Sequence, residues 1–133
     1  MANALYGKGR EGFLDGSIDW DTDTIKMVLV DSTYAVSIDV HDNLDDILAG
    51  KRVATSAALG TKTVTLGVAD AADVATFTAP GSFSFIVLYK DSGVEATSRL
   101  ICYVDTATGL PCAPAGADVS IAFDNGANKI FKL

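Results

Sequence analysis

The chain has 133 residues and is acidic, because 17 Asp and Glu residues outnumber 10 Lys and Arg residues and leave a formal net charge of −7. Binding to DNA, RNA or an anionic membrane needs clustered basic residues, and the only adjacent basic pair here is Lys51 and Arg52. The composition therefore argues against nucleic-acid and membrane partners. Its 49% of hydrophobic residues predict one packed domain over residues 1–133.

The first predicted element is a short N-terminal helix or arm within residues 1–15. Over residues 2–15 the side chains of Leu5, Tyr6, Phe13 and Leu14 fall roughly on one helix face, but three glycines weaken the helix. The segment lacks the apolar stretch of a signal peptide, which predicts that the protein is made and kept in the cytoplasm.

Most of the remaining chain consists of apolar segments of strand length separated by turn residues. Residues 24–31 contain a nearly continuous apolar run and predict a central strand, and residues 34–40 are a candidate to extend it or pair with it. Residues 119–133 predict a hairpin that turns at Asp124-Asn125-Gly126. Further strands are predicted over residues 52–56, 62–67, 74–79, 83–91 and 98–105.

A small helix is predicted between these strands, over residues 43–49. Asn43 is a suitable N-cap, Asp45 and Asp46 favour the positive first turn, and Gly50 suits the C-terminal end. The elements together predict a mainly β fold, which is an antiparallel sandwich or barrel with a short N-terminal helix or arm and one small edge helix.

The two cysteines, Cys102 and Cys112, lie ten positions apart in the sequence on either side of a predicted turn. Without a secretory context we expect both thiols to be reduced. Cys102 falls inside a predicted strand and is expected to pack in the core.

Two fragments resemble functional motifs without completing them. Residues 7–12 match the letters of G-x-G-x-x-G, but no strand fits before them and no β-α-β unit follows. Residues 19–23 space three Asp residues as a calcium loop begins, but Thr24 and Val30 occupy the positions that need Gly and Glu. A solvated acidic turn is therefore expected, with a looser calcium site as the alternative.

His41 is the only histidine, and neither a zinc-ligand set nor a nucleophile motif accompanies it. It is expected to be a loop histidine beside the start of a helix. Asp and Glu residues are numerous, but no spacing selects a catalytic pair. We therefore predict no catalytic residue, no cofactor and no metal site, and hence a protein that is not an enzyme.

Three segments cover most of the chain and carry a family resemblance. They are ALYGKGREGFLDGSIDWDTDTIKMVLVD (residues 4–31), HDNLDDILAGKRVAT (residues 41–55), and the pieces LYKDSG, SRLICYVDTATGLP and DNGANKIFKL between residues 88 and 133. These segments resemble a family of small virion structural proteins from tailed bacteriophages and prophages. The resemblance supplies no catalytic residue.

The resemblance implies a virion protein that is made in the host cytoplasm and works by binding. The favoured role is a capsid decoration, or cement, protein that binds the major capsid protein and stabilises the head shell as a homo-oligomer, with a trimer as one candidate state. A tail or fibre component that contacts tail proteins or the host surface is the alternative. A small carbohydrate-binding β-sandwich is a further alternative, with Trp20 and Tyr34 as its candidate aromatic residues.

The candidate interface residues are Leu5, Tyr6, Phe13 and Trp20. The first three belong to the N-terminal arm, which the resemblance would pack against the shell. Deletion of residues 2–14 is then expected to leave a folded β domain that no longer associates with virions. Trp20 lies in the acidic turn and suits either an interface anchor or a plug at one end of the core.

Overall fold

The computed structural model describes residues 3–133, apart from the side chain of Ala75, and it confirms the predicted mainly β class. In this range the regular structure consists of one α-helix, Gly7–Asp15 (α1), three short 3-10 helices and ten strands. The strands are β1 (Ala4–Leu5), β2 (Ile25–Val30), β3 (Arg52–Thr55), β4 (Thr63–Thr65), β5 (Val68–Asp70), β6 (Val74–Phe77), β7 (Phe85–Lys90), β8 (Leu100–Val104), β9 (Val119–Ile121) and β10 (Phe131–Lys132).

The strands form three sheets, and every strand pairing within the described range is antiparallel. The largest sheet has the order β1-β8-β7-β2-β3, the second has the order β10-β5-β4, and the third pairs β6 with β9. Residues of the two smaller sheets pack with one face of the large sheet. The result is a sandwich-like arrangement and not a closed barrel.

β2 and β7 lie inside the large sheet, and both of their faces are buried. They pair along their full lengths, from Ile25 opposite Lys90 to Val30 opposite Phe85. Because successive side chains of a strand point to opposite faces, a strand that is covered on both faces needs a nearly continuous apolar sequence. The prediction of a central strand over residues 24–31 is confirmed for this reason.

The alternation of side chains divides the interior into two cores. In the first core, Met27, Leu29 and Leu88 of the large sheet pack with Ala69 and Phe77 of the small sheets. The second core, on the opposite face, contains Tyr6, Val28, Val30, Tyr34, Leu44, Ile47, Val87, Tyr89, Leu100 and Tyr103. The second face is therefore covered by loop and 3-10 residues instead of a sheet.

The expected strand over residues 34–40 is wrong. Both edges of β2 are already paired, with β3 and with β7, so no position beside it is open. The segment instead covers the second core as a loop, in which Tyr34 is buried and Val36 and Ile38 pack against the cluster.

The predicted hairpin over residues 119–133 is also wrong. β9 pairs with β6 and β10 pairs with β5, so Asp124-Asn125-Gly126 lies in a connection between two sheets. The tight hairpin is β4–β5, whose loop residues Leu66 and Gly67 have φ of 52° and 78°. Positive φ at both residues is the geometry of two-residue hairpin loops, but leucine rarely adopts it, so the sequence does not predict a turn there.

The predicted edge helix is present in shortened form as the 3-10 helix Leu44–Asp46, with Asn43 at its N-cap position. The Asp46 carboxylate accepts the backbone N–H of Asp42 at 2.7 Å, which ties the helix to the chain before it. Gly50 does not end this helix. It lies inside the next 3-10 helix, Ala49–Lys51.

The N-terminal segment is an integral part of the fold and not a separable arm. The helix prediction over residues 2–15 is confirmed for α1, whereas Ala4–Leu5 forms β1, and Ala2 lies outside the described residues. β1 pairs with β8 and forms the edge of the large sheet, with Leu5 opposite Cys102.

α1 packs directly on the backbone of β8. A Cβ atom at Gly9 would lie 2.7 Å from the carbonyl oxygen of Leu100 and 3.0 Å from the Cα of Ile101. Only glycine allows so close an approach. The glycine content that lowers the helix propensity of this segment is therefore what lets the helix dock.

The two cysteines lie in different environments, and neither is in a disulfide. Cys102 is buried in β8, as predicted, and burial raises the pKa of its thiol to about 12. Cys112 is half-buried, and its backbone pairs with Phe83 in an isolated β-bridge. Because the thiolate is the reactive form of cysteine, the two thiols should differ in reactivity.

We expect an alkylating reagent near neutral pH to modify one thiol of the native protein, and both thiols after unfolding. Mass spectrometry of the labelled peptides should assign the native modification to Cys112. The Cys112→Ser variant is the matched control and should label only in denaturant. Rapid modification of Cys102 in the native protein would contradict the buried position of its side chain.

Candidate functional site

An apolar groove of about 290 Å³ lies between the end of α1, the acidic turn that follows it and the three-stranded sheet. Its apolar lining is formed by Phe13, Ile18, Trp20, Val64, Phe131 and Leu133. We name it the hairpin groove, because the β4–β5 hairpin supplies one wall. It brings together residues that are far apart in the sequence.

Aromatic side chains form the inner part of the hairpin groove. The Trp20 ring meets the Phe131 ring edge-to-face with centroids 5.2 Å apart, and Phe13 lies 5.7 Å from Phe131. The indole N–H of Trp20 donates to the backbone carbonyl of Asp70 at 3.0 Å. Trp20 is only 3% exposed, so it plugs one end of the first core, which is one of the two positions predicted for it.

Large exposed apolar side chains surround the hairpin groove. Val64 and Leu133 line it and are 58% and 60% exposed, while Leu66 at the hairpin tip is 91% exposed. Leu14, which follows the groove residue Phe13, is also exposed. Large apolar side chains that stay exposed at a groove mark a candidate binding surface.

One strand of the groove wall has an unpaired edge. β4 is the last strand of its sheet, and Thr63, Val64 and Thr65 are all exposed. Such an edge presents backbone N–H and C=O groups that another strand can use. The site therefore combines exposed apolar side chains with an open hydrogen-bonding edge.

The acidic turn beside the groove is closed by its own carboxylates. Asp23 accepts the backbone N–H of Asp19 at 2.8 Å and forms an ion pair with Lys90 at 3.1 Å. A side-chain hydrogen bond between Asp19 and Asp21 lowers the pKa of Asp19 and raises the pKa of Asp21. These internal bonds support the interpretation of residues 19–23 as a solvated acidic turn.

Of the four predicted interface residues, Phe13 and Trp20 line the hairpin groove, and Leu5 and Tyr6 do not. Leu5 is 9% exposed and packs in the first core, while Tyr6 is fully buried in the second. These two side chains are therefore used to hold the N-terminal segment to the rest of the chain.

A chain of hydrogen bonds runs from the second core to the half-buried His41. The hydroxyls of Tyr6 and Tyr34 lie 3.0 Å apart, and the Tyr34 hydroxyl lies 2.8 Å from Nδ1 of His41. Burial raises the pKa of Tyr6. Tyr34, the second aromatic candidate for a sugar site, is buried.

Two further features could suggest a metal site or a catalytic site. Asp42, Asp45 and Asp46 place carboxylate oxygens within 4.8 Å of one another, but Asp46 is already engaged by the backbone N–H of Asp42. A larger cleft of about 420 Å³, between residues 54–60 and residues 72–78, is lined mainly by Ala, Ser and Thr. In this cleft the Ser56 hydroxyl donates to the carbonyl of Ala57 at 2.7 Å, and the Asp73 carboxylate accepts the backbone N–H of Phe123 at 2.9 Å.

The G-x-G-x-x-G letters of residues 7–12 fall within α1. The prediction that no strand fits before these residues is wrong, because the two-residue strand β1 precedes the helix and pairs antiparallel with β8. Since the dinucleotide fingerprint belongs to a parallel β-α-β unit, this geometry does not fit it. The glycines are explained by the close contact between α1 and β8.

No helix in the described part of the chain combines the length and apolar character that crossing a bilayer requires. In comparisons with known proteins, no family model matches the chain and no curated protein matches it.

Sequence reasoning missed most of the hairpin groove. Val64 and Leu66 fall in a predicted strand, where alternation gives no sign that their side chains stay exposed. The sequence predicts instead that Phe131 and Leu133 belong to a C-terminal hairpin. The groove depends on the pairing of β10 with β5, which is a long-range contact without a local sequence pattern.

Proposed function

We propose that this protein is a non-enzymatic structural protein of a bacteriophage virion, which binds the major capsid protein and stabilises the head shell as a homo-oligomeric decoration protein. It is made in the host cytoplasm and ends in the virion. The family resemblance of residues 4–31, 41–55 and 88–133 supplies the virion role. The fold and its surface are compatible with a protein that works by association.

The observation that carries this proposal is the exposed apolar surface around the hairpin groove. Val64, Leu66 and Leu133 each leave more than half of their surface in water, and water contact with large apolar groups is unfavourable. Burial of these side chains against copies of the same chain or against a lattice would remove that cost. A virion supplies such contacts in many copies.

The acidic balance also favours this role over contact with the genome. The net charge of −7 would oppose binding to DNA packed inside the head, which favours the outer surface of the shell in this proposal. The non-enzymatic part of the proposal is supported by the structural engagement of the groups that could act in catalysis, such as His41 and Asp46.

The proposal is tested with heads from a phage mutant that lacks this chain. Purified protein should bind the expanded heads to saturation in co-sedimentation and raise the temperature at which they release DNA. Binding to isolated tails in place of heads would contradict the decoration role and favour the tail alternative. Failure to bind either particle would reject the virion proposal.

A further inference from the structure

We propose that two copies of this chain associate through their β4 strands, which pair antiparallel about a twofold axis at Val64 and join the two three-stranded sheets into one six-stranded sheet. The inference rests on the proposed function for its biological meaning, since it names the surface of self-association. It is tested in solution without virions, so the two proposals can fail separately.

The backbone geometry of β4 leaves Val64 free to pair. The two-residue loop makes Thr65–Val68 the hydrogen-bonded closing pair, so the next pair, Val64–Ala69, is a non-hydrogen-bonded pair. Consistent with this, the Ala69 carbonyl accepts the N–H of Ile130, on the other side of β5. The N–H and C=O of Val64 therefore point away from β5, and in residues 3–133 none of the turn, loop or side-chain hydrogen bonds involves them.

The side chains of this edge are suited to a second copy of the same strand. Pairing centred on Val64 places Val64 opposite Val64 and Thr63 opposite Thr65, which are β-branched residues that favour strands. A charged residue often protects an open edge from such pairing, and β4 has none. Lys62, the nearest charge, would face Leu66 of the second copy and is bonded to the backbone carbonyl of Asp23 in its own chain.

The β3 edge of the large sheet differs from the β4 edge in two features. β3 carries Arg52, whose guanidinium forms a bidentate ion pair with Glu95, and its pairing with β2 has a register shift between Leu29 and Val30. Charges and irregular pairing are features that keep an edge strand from adding another. β4 lacks both features, because Thr63, Val64 and Thr65 are uncharged and their pairing with β5 has no register shift.

The twofold axis would bring the two hairpin grooves onto the same face of the joined sheet. Val64 and Phe131 lie on that face, because both line the groove. Pairing would cover the open edge of β4 and bring the two Val64 side chains together. The two hairpin grooves would then form one continuous surface across the dimer. An isologous contact of this kind closes as a dimer, and so differs from the trimer that the family resemblance suggested.

The oligomeric state of the full chain tests the inference. Sedimentation velocity over a concentration series should give a dimer for the natural protein and a monomer for Val64→Lys, because two lysines would then face each other across the axis. Val94→Lys is the matched control, since Val94 is also 58% exposed but lies away from β4, and it should remain dimeric. A monomer at every concentration, or an oligomer that Val64→Lys leaves intact, would overturn the inference.

A second variant separates edge pairing from side-chain repulsion. Val64→Pro removes the outward N–H without removing a bond of the β4–β5 ladder, and proline is tolerated on edge strands at such positions. It should also give a monomer with an unchanged circular dichroism spectrum. The backbone amide at position 64 should exchange its hydrogen slowly in the natural dimer and rapidly in the Val64→Lys monomer. Equal rapid exchange in both proteins would contradict pairing at this edge.

Discussion

Deletion of residues 2–14 is expected to unfold the protein. Leu5 fills part of the first core and Tyr6 is fully buried in the second, so the deletion opens both cores at once. Truncation of one large buried side chain costs about 2–5 kcal/mol, and a whole domain is stable by only about 5–15 kcal/mol. The loss of β1 also uncovers the hydrogen-bonding edge of β8.

Circular dichroism and thermal unfolding of the truncated chain check this prediction. The sequence alone predicts the opposite outcome, a folded β domain without its binding arm, so the experiment separates the two accounts. The full-length variant Leu14→Ala, which changes an 89% exposed side chain of the same segment, is the control and should unfold as the natural protein does. A cooperative unfolding transition in the truncated chain would contradict the integral role of the segment.

Trp20→Ala is expected to be the most damaging single truncation at the hairpin groove. The indole is 3% exposed and packs edge-to-face on Phe131, and removal of a buried aromatic side chain costs about 3–5 kcal/mol. Trp20→Phe should cost less, about 1–2 kcal/mol, because it retains an aromatic ring but leaves the carbonyl of Asp70 without its donor.

Urea denaturation followed by far-ultraviolet circular dichroism measures these differences without relying on tryptophan fluorescence. The midpoints should fall in the order natural protein, Trp20→Phe, Trp20→Ala. Val64→Lys serves as the groove control for stability. Because the side chain of Val64 is exposed, the free energy of unfolding of the monomer should change by no more than about 0.5 kcal/mol. A stable Trp20→Ala protein would show that the indole serves an interface instead of the core.

The central part of the fold could be predicted from the sequence because it depends on local patterns of apolar residues. β2 and β7 are apolar at nearly every position, and this pattern marks strands that are buried on both faces. The mainly β class and the N-terminal helix follow from similar patterns. The position of Cys102 in the core was predicted from its strand in the same way.

The remaining structure depends on contacts that the sequence does not mark. Asp124-Asn125-Gly126 is a good turn sequence, but β9 and β10 join different sheets because β6 and β5 offer them edges. The true hairpin turns at Leu66, a residue whose positive φ no propensity would predict. Tertiary pairing overrides local preference in both cases.

The candidate site was predicted only in part for the same reason. The sequence predicts Phe13 and Trp20 as interface residues, and both line the hairpin groove. Helical periodicity predicts Tyr6 as an interface residue, but α1 begins only at Gly7, and the extended backbone at Tyr6 places its side chain in the second core. Val64 was not named, since exposure of an apolar residue on an edge strand becomes visible only when the order of the strands is known.

The copy number of this chain in purified virions tests the virion proposal most directly. Quantitative mass spectrometry should compare its peptides with those of the major capsid protein from the same particles. A decoration protein that covers a symmetric shell should be present at about one copy per capsid subunit. A handful to a few dozen copies per particle would place the protein in the tail or portal region, and absence from the virion would contradict the structural role.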